Sequence, residues 1–356
     1  MLCDRTSQLD DRGCRVTEAG RAQCLAIVVT SDLIGGHEMQ LARLVRTMSE
    51  TRTITLVTTS RMAEQFFKNQ GLEVRLASFS RPGKIWQQWH AGRALAAVLA
   101  PVVADDNAVM VSGGTVEACV APARALKILR PDRPVTAYIP MYVDRAIAWG
   151  LVGSVYNRAS RLFIGAIDAF ITINRIQARL IAHRYRRPVR VIANTVTPLP
   201  PPTADHGPRL IVVGRLDDGQ KNVSGAIDLL DHPGNPFADL HIFGDGPDRA
   251  AIEARGRAAR HLAVAFHGWT PHDRLAGALG RRDVLVMNSR WEGEPMIVRE
   301  LAAAGIPAVV TNIPGFRGLV RRPRRYTSQD ELLAILRGLH ATMVSQHPGQ
   351  DPVAPQ

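Results

Sequence analysis

Nothing in the chain approaches the roughly 20 consecutive apolar residues that a bilayer-spanning helix needs. Its first residues, MLCDRTSQLDDRGCR, alternate charge where a secretory leader would carry an apolar core. Both absences point to a cytoplasmic protein. Cysteine is scarce: Cys3, Cys14, Cys24 and Cys119 are the whole complement, and none stands in C-x-x-C spacing. Reduced thiols are therefore expected, and a thiolate metal centre is not. Acidic residues are in deficit, 32 against 44 lysines and arginines, leaving a formal charge of +12. Such an excess calls for an anionic partner, and nucleic acid, anionic lipid and a phosphorylated small molecule all qualify. A recognisable nucleic-acid module is lacking, as is a basic strand interleaved with aromatics, so a nucleic-acid-binding protein is supported by charge alone. No internal repeat of fixed short period is present either.

What is present suits two domains, since 356 residues exceed a typical single core. Residues 1–22 show no apolar periodicity and read as a flexible tail. The run CLAIVVT at 24–30 is short, β-branched and apolar throughout, as a strand covered on both faces should be. Similar runs follow at 53–57, 74–77, 108–111, 135–139, 169–173 and 189–192, with helical stretches such as 39–47 and 92–99 between them. That alternation predicts a parallel sheet with crossovers. The stretch TPLPPPT at 197–203, followed by DHGP at 205–208, cannot join a sheet interior and reads as a linker. A second series of strands then starts, at 209–213, 240–243, 263–266, 284–287 and 308–311. The expected fold is α/β, with two Rossmann-like lobes facing across a cleft. The first lobe spans 23–200 on the acceptor side and the second 201–327 on the donor side; a helix over 328–345 packs back on the first lobe, and 346–356 form a disordered tail.

The second lobe concentrates the polar motifs at its strand ends. NSRWEGEPMIVRE at 288–300 begins where the strand 284–287 ends, and Pro295 suits the first turn of a helix. Glu292 then falls in the preceding loop and Glu300 inside the helix, about 7–8 Å along the axis from Pro295. The backbone N–H groups of Met296, Ile297 and Val298 would face outward between the two carboxylates, an arrangement fit for a diphosphate. Taken singly, a loop carboxylate and a solvated helix glutamate would look the same. Three further motifs stand at neighbouring strand ends. VVGRLDDGQKN at 212–222 offers Arg215 and Lys221 as two fixed cations for a diphosphate, although isolated surface cations would be unremarkable in so basic a chain. IFGDGPDR at 242–249 contains Gly244 and Gly246 in a tight turn, chiefly structural. VAFHGW at 264–269 places Trp269 where a nucleobase could lie, with simple packing as the alternative.

In this order, G-R-L…K-N, G-D-G-P, F-H-G-W, S-x-x-E-G-x-P-x-x-x-x-E and A-x-G-I-P, the segment from 209 to about 320 resembles the family 4 glycosyltransferases of the GT-B fold. The first lobe adds SDLIGGHE at 31–38, which resembles that family's G-G-x-E loop and nominates Gly35 and Gly36 on the donor side. The resemblance implies a nucleotide diphosphate sugar donor, transfer with retention of configuration, and no metal or other cofactor. Arg215, Lys221 and the helix N-terminus would stabilise the departing diphosphate. Glu292 would orient the donor sugar or stabilise positive character on it, and Glu300 would hold the ribose. A saccharide or lipid-linked acceptor and a role in cell-surface polysaccharide assembly go with this reading. Two departures stand out: the stretch VTAYIPMYVD at 135–144 lacks the histidine that many relatives carry there, and Glu294 replaces a customary apolar or aromatic residue. A GT-B epimerase or hydrolase acting on nucleotide sugars shares the same donor lobe. The basic clusters at 184–190 and 321–325, with Trp86 and Trp89, suggest either an anionic membrane surface or plain solvated loops and a core corner.

Overall fold

A computed structural model of the chain describes residues 24–31, 35–80, 82–103, 108–196, 198–204 and 206–346. The tail read at 1–22 with Cys3 and Cys14, and the tail read beyond 346, lie outside the described residues. Cys119 is buried in the first unit's core. The chain divides into two compact units, Met1–Thr195 and Val196–Gln356, each built on one all-parallel sheet.

In the first unit the strands are β1 (Cys24–Val29), β2 (Thr53–Thr58), β3 (Arg75–Leu76), β4 (Ala108–Ser112), β5 (Val135–Tyr138), β6 (Ala169–Thr172) and β7 (Val189–Val191). They lie in the order β3-β2-β1-β4-β5-β6-β7. The second unit holds β8 (Arg209–Val213), β9 (Asp239–Phe243), β10 (Ala263–Gly268), β11 (Asp283–Met287), β12 (Ala308–Thr311) and β13 (Arg325–Tyr326), in the order β10-β9-β8-β11-β12-β13. Both orders reverse direction after the first strand, so crossovers on either side of that strand cover opposite faces of the sheet.

The continuous apolar runs are what two covered faces require. Leu25, Ile27 and Val29 of β1 enter one core, whereas Ala26 and Val28 enter the core on the other face. In the second unit Leu210 and Val212 of β8 join Val284 and Val286 of β11 on one side, while Ile211 joins Leu285 and Met287 on the other. The helix Gln329–Gln346, expected to pack back on the first lobe, buries Leu332 and Leu336 in the second unit's core beside Leu230 and Phe237. β13 was not anticipated. It has two residues, and its first, Arg325, belongs to a cluster read as a cationic surface.

Candidate active site

The strand ends of the second unit are laced together by backbone bonds. Gly214 N–H donates to the Phe243 carbonyl at 2.9 Å, Leu216 N–H to Asp245 at 2.9 Å, and Gly244 N–H to Gly268 at 2.8 Å. These loops pass so close that a Cβ on Gly244 would stand 1.8 Å from the Gly214 carbonyl oxygen, which explains the glycine there. Asp217 caps the short helix Asp218–Lys221, and Asp248 accepts from the Asp218 N–H at 2.7 Å. The helix ends on Asn222 in a left-handed conformation (φ 51°), a state asparagine tolerates better than most residues. Arg290 locks this element against the next strand end, donating to the carbonyls of Asp218 and Gly219 and to Asn222 Oδ1. The result is a pocket at the carboxyl ends of β8 and β11, where the strand order reverses, lined by Gly214, Arg215, Lys221, Asn288 and Ser289.

Lys221 and Glu292 meet at this edge: Nζ lies 2.6 Å from Oε1, and the carboxylate is nearly enclosed, with 6% of its side chain exposed. Ser289 Oγ donates to the same oxygen at 2.8 Å. Arg215 donates to Asp217 Oδ2 at 3.1 Å and to Gln220 Oε1 at 3.3 Å. Both candidate cations are therefore engaged by side chains of their own unit. Close packing fixes the Glu292 backbone, because a Cβ on Gly315 would stand 2.3 Å from the Glu292 carbonyl oxygen.

The helix after this loop is Met296–Ala303, with Pro295 as its extended N-cap and outside its first turn. Val298 N–H donates to the Pro295 carbonyl at 3.2 Å, so the outward-facing amides narrow from the expected three to those of Met296 and Ile297. Glu300, one turn further on, has Oε2 3.6 Å from His272 Nε2. His272 starts the helix His272–Ala278 just after Trp269, which is 74% exposed. Glu294 is held by Arg299 at 2.8 Å through one carboxylate oxygen, while the other is buried without a hydrogen-bond partner. The sequence reading gave no role to Ser289, His272 or Arg290; Ser289 opens the S-x-x-E motif, whereas His272 and Arg290 carried no signal beyond a polar residue at a helix start or strand end.

In the first unit, Gly35 precedes the helix Gly36–Ser49, and its N–H is donated to Glu38 Oε2 at 2.8 Å. Gly36 is exposed with open space around its Cα. His37 reaches the carboxyl edge of this sheet from the same turn. Its Nε2 lies 2.9 Å from Ser112 Oγ, at the end of β4, and its ring stacks on Tyr138, at the end of β5, with centroids 5.4 Å apart. Burial lowers its pKa, with nearby Glu38 pulling the other way. An imidazole thus stands beside the end of β5, although the stretch 135–144 itself has none.

The other candidates separate. Trp89 packs on the first unit's core with the Arg124 guanidinium 4.2 Å from its ring, whereas Trp86 is exposed under Lys84. Arg184 donates to the Tyr142 hydroxyl at 3.2 Å, and Arg325 lies half-buried in β13, so neither basic cluster is wholly a free surface. Among the described residues, no group of three or more His, Cys, Asp or Glu side chains could hold a metal, and no helix is long and apolar enough to cross a membrane.

Two parallel α/β units of this topology define a GT-B fold. The same fold is found in the lipopolysaccharide outer core galactosyltransferase WaaB, with a TM-score of 0.63 and 19% identity over 90% of this chain and 91% of that one. It is found in TarM as well, at 0.66 and 11% over 92% and 94%. A candidate UDP-N-acetylglucosamine 2-epimerase from Listeria monocytogenes matches at 0.54 and 13% over 90% of both chains. At such identities these likenesses establish the fold alone. The second unit is more specific: residues 201–324 match the family described as Glycosyl transferases group 1. The chain is 35% identical to a glycogen synthase of Mycobacterium tuberculosis over 138 residues, 36% of this chain and 32% of that protein. It is 30% identical to lipopolysaccharide 1,6-galactosyltransferase of Salmonella typhimurium over 128 residues, 35% of each chain. The chain thus aligns with about a third of the length of these curated relatives.

Proposed function

We propose that the protein is a retaining glycosyltransferase of family 4, moving a sugar from a nucleotide diphosphate donor to a saccharide or lipid-linked acceptor in the cytoplasm, in the assembly of a cell-surface polysaccharide. The observation that carries this reading is the contact of Lys221 with Glu292, beside the pocket that Lys221 and Arg215 line at the reversal point of the second sheet, inside the segment that matches the group 1 family. A departing diphosphate needs fixed positive charge and backbone donors where its own charge develops. Arg215, Lys221 and the amides of Met296 and Ile297 would supply them, with no metal or other cofactor required. Lys221 would exchange Glu292 for the diphosphate as the donor enters, leaving the Glu292 carboxylate beside the sugar that is being released. Glu300 and His272 would engage the ribose, with Trp269 near the base.

An epimerase or hydrolase is the second reading, supported by the fold shared with the Listeria protein. A screen of UDP, GDP and ADP sugars by thermal stabilisation tests the donor site, since a ligand at 100 times its dissociation constant adds about 2.7 kcal/mol. Release of nucleotide only in the presence of an acceptor supports transfer, and NMR of the product's anomeric proton tests retention. Nucleotide release at the same rate without any acceptor would favour the second reading.

A further inference from the structure

Three of the four sheet edges are blunted. β3 and β13 have two residues each, Arg75 and Arg325 among them, and β7 has three with Arg190 at its centre. Short strands and edge charges are the usual guards against pairing with another chain. β10 carries neither: its six residues, AVAFHG, include no lysine, arginine, acid or proline. Ala263 and His267 are exposed, and the three residues between them are half-buried. Both faces of the strand are nonetheless held. On one, Val264 and Phe266 pack on the helix Arg249–Arg257 so closely that a Cβ on Gly256 would stand 2.9 Å from Phe266 Cε2 and 3.1 Å from Val264 Cγ1. On the other, the His267 ring stacks on Phe243 and on His241, with centroids 4.3 Å and 5.0 Å apart.

The register shows which backbone groups lie open. Ala263 pairs with Asp239, and its N–H donates to the Ala238 carbonyl at 2.8 Å, so Ala263 and Ala265 direct their backbone groups at β9 while Val264 and Phe266 direct theirs away. Among the described residues, none bonds to these outward groups. A register shift between Phe266 and Gly268 ends the regular edge. We infer that β10 pairs antiparallel with β10 of a second copy of this chain, about a twofold axis through Ala265. Val264 of each copy then faces Phe266 of the other, and each such pair exchanges both N–H···O=C bonds and sets an aromatic ring beside a β-branched side chain. Ala265 meets its own counterpart as a non-hydrogen-bonded pair, for which a methyl group is small enough, and no like charges oppose each other across the axis. A second copy fits better than a foreign extended peptide, because each copy brings the same free row already held on both faces and neither has to be ordered on binding. Antiparallel pairing turns the carboxyl ends of the two sheets in opposite directions. The two pockets at β8 and β11 therefore stay separate, and the inference goes beyond the transfer reaction without depending on it.

Light scattering after size exclusion of the full chain tests it, and twice the mass of one chain is expected. Ala265→Lys sets two ammonium groups across the axis and Ala265→Glu two carboxylates; each should weaken association at least about a hundredfold, and mixing the two variants should restore the dimer. Ala265→Cys should form an intermolecular disulfide under mild oxidation, since the Cα atoms of such a pair stand about 4.5 Å apart, within disulfide range. The wild type, with its own four cysteines, is the control for that cross-link. Unchanged melting temperatures show the variants folded, and light scattering reads pairing whether or not a nucleotide binds, so failure here is distinct from failure of the proposed reaction. The inference is overturned if the wild type is a monomer at its highest soluble concentration, or if the Lys and Glu variants remain dimeric. It is overturned equally if their mixture stays monomeric, or if Ala265→Cys cross-links no more than the wild type.

Discussion

Replacing Lys221 by Met removes the ammonium 2.6 Å from Glu292 Oε1 and leaves a carboxylate with 6% of its side chain exposed. Ser289 remains as a neutral donor at 2.8 Å, which offsets only part of the loss. Breaking a fully buried pair costs about 3–5 kcal/mol, and because Lys221 keeps 19% of its side chain in solvent, a cost of about 2–4 kcal/mol is expected here. In a unit of this size that lowers the melting temperature by about 5–12 °C. Glu292→Gln should cost less, about 1–2 kcal/mol, since an amide oxygen still accepts from both Lys221 and Ser289. The double variant strands no charge, so its loss should fall short of the sum of the single losses by about 1–3 kcal/mol. Urea unfolding of the four proteins gives these values directly. Additivity within about 0.5 kcal/mol would show that the two groups do not interact and would remove the basis of the proposed exchange. Calorimetric titration with the nucleoside diphosphate gives the functional half of the cycle. Lys221→Met should weaken it at least about tenfold, the worth of a charge-assisted contact. Glu292→Gln should leave it within about threefold while transfer falls about a hundredfold.

Glu300→Gln should weaken nucleotide and donor alike by about tenfold, because the ribose is common to both; unchanged affinity and transfer in the folded variant would remove the donor-site assignment. Stability should also depend on pH through His241, whose Nδ1 lies 3.2 Å from Arg209 Nη1 and 2.9 Å from His267 Nε2. Arg209 can only donate, so that nitrogen must keep its lone pair; burial first, then Arg209 and His267, push the His241 pKa down from 6.5 to about 4. The unfolded chain therefore binds the proton more readily, and stability present above pH 6.5 is lost as pH falls toward about 4. Thermal melts should show that decline, and His241→Gln should flatten it; an identical slope in the variant would exclude His241 as its source. Finally, Tyr326→Phe deprives Asn288 Oδ1 of a buried donor at 2.9 Å and should cost about 1–2 kcal/mol in urea unfolding, with a change below about 0.3 kcal/mol counting against this bond.

The strands were legible because a strand covered on both faces must be apolar at every position, and runs as short as 24–29 and 284–287 suit a buried strand better than a helix. β13 was not, since two residues carry no period and its first is an arginine. The exposure of Leu151, Val152 and Val155 on the helix Arg145–Ser160, and of Leu162 just after it, was hidden for the opposite reason. Aliphatic residues at helical spacing predict burial, whereas here the segment is broken at Gly150 and held by buried Asn157 on Asp144 with this set exposed. The imidazole beside β5 was missed because it was sought on the strand's own loop, whereas His37 arrives from the helix after β1, brought there by the parallel pairing of β1 with β4 and of β4 with β5.

The candidate site was legible residue by residue but not as an arrangement. A motif assigns Lys221 to an anion and Glu292 to a sugar as though the two were independent, because 71 positions separate them. Their contact couples the assignments: in the free chain each charge neutralises the other, and neither is available for the task proposed for it. A diphosphate must then compete with Glu292 for Lys221, so part of its attraction is consumed in separating the pair. What remains is a carboxylate deprived of its cation at the moment the sugar arrives, a stronger electrostatic partner for positive character on the sugar than the paired one. Lys221→Arg separates this account from simple phosphate binding, for it keeps the positive charge but changes its shape and reach. If exchange operates, affinity for the free nucleotide and kcat should both fall, because a guanidinium forked onto Glu292 is harder to displace and keeps the carboxylate paired. Equal losses in nucleotide affinity and in kcat/KM, with kcat unchanged, would leave Lys221 as a phosphate ligand and nothing more.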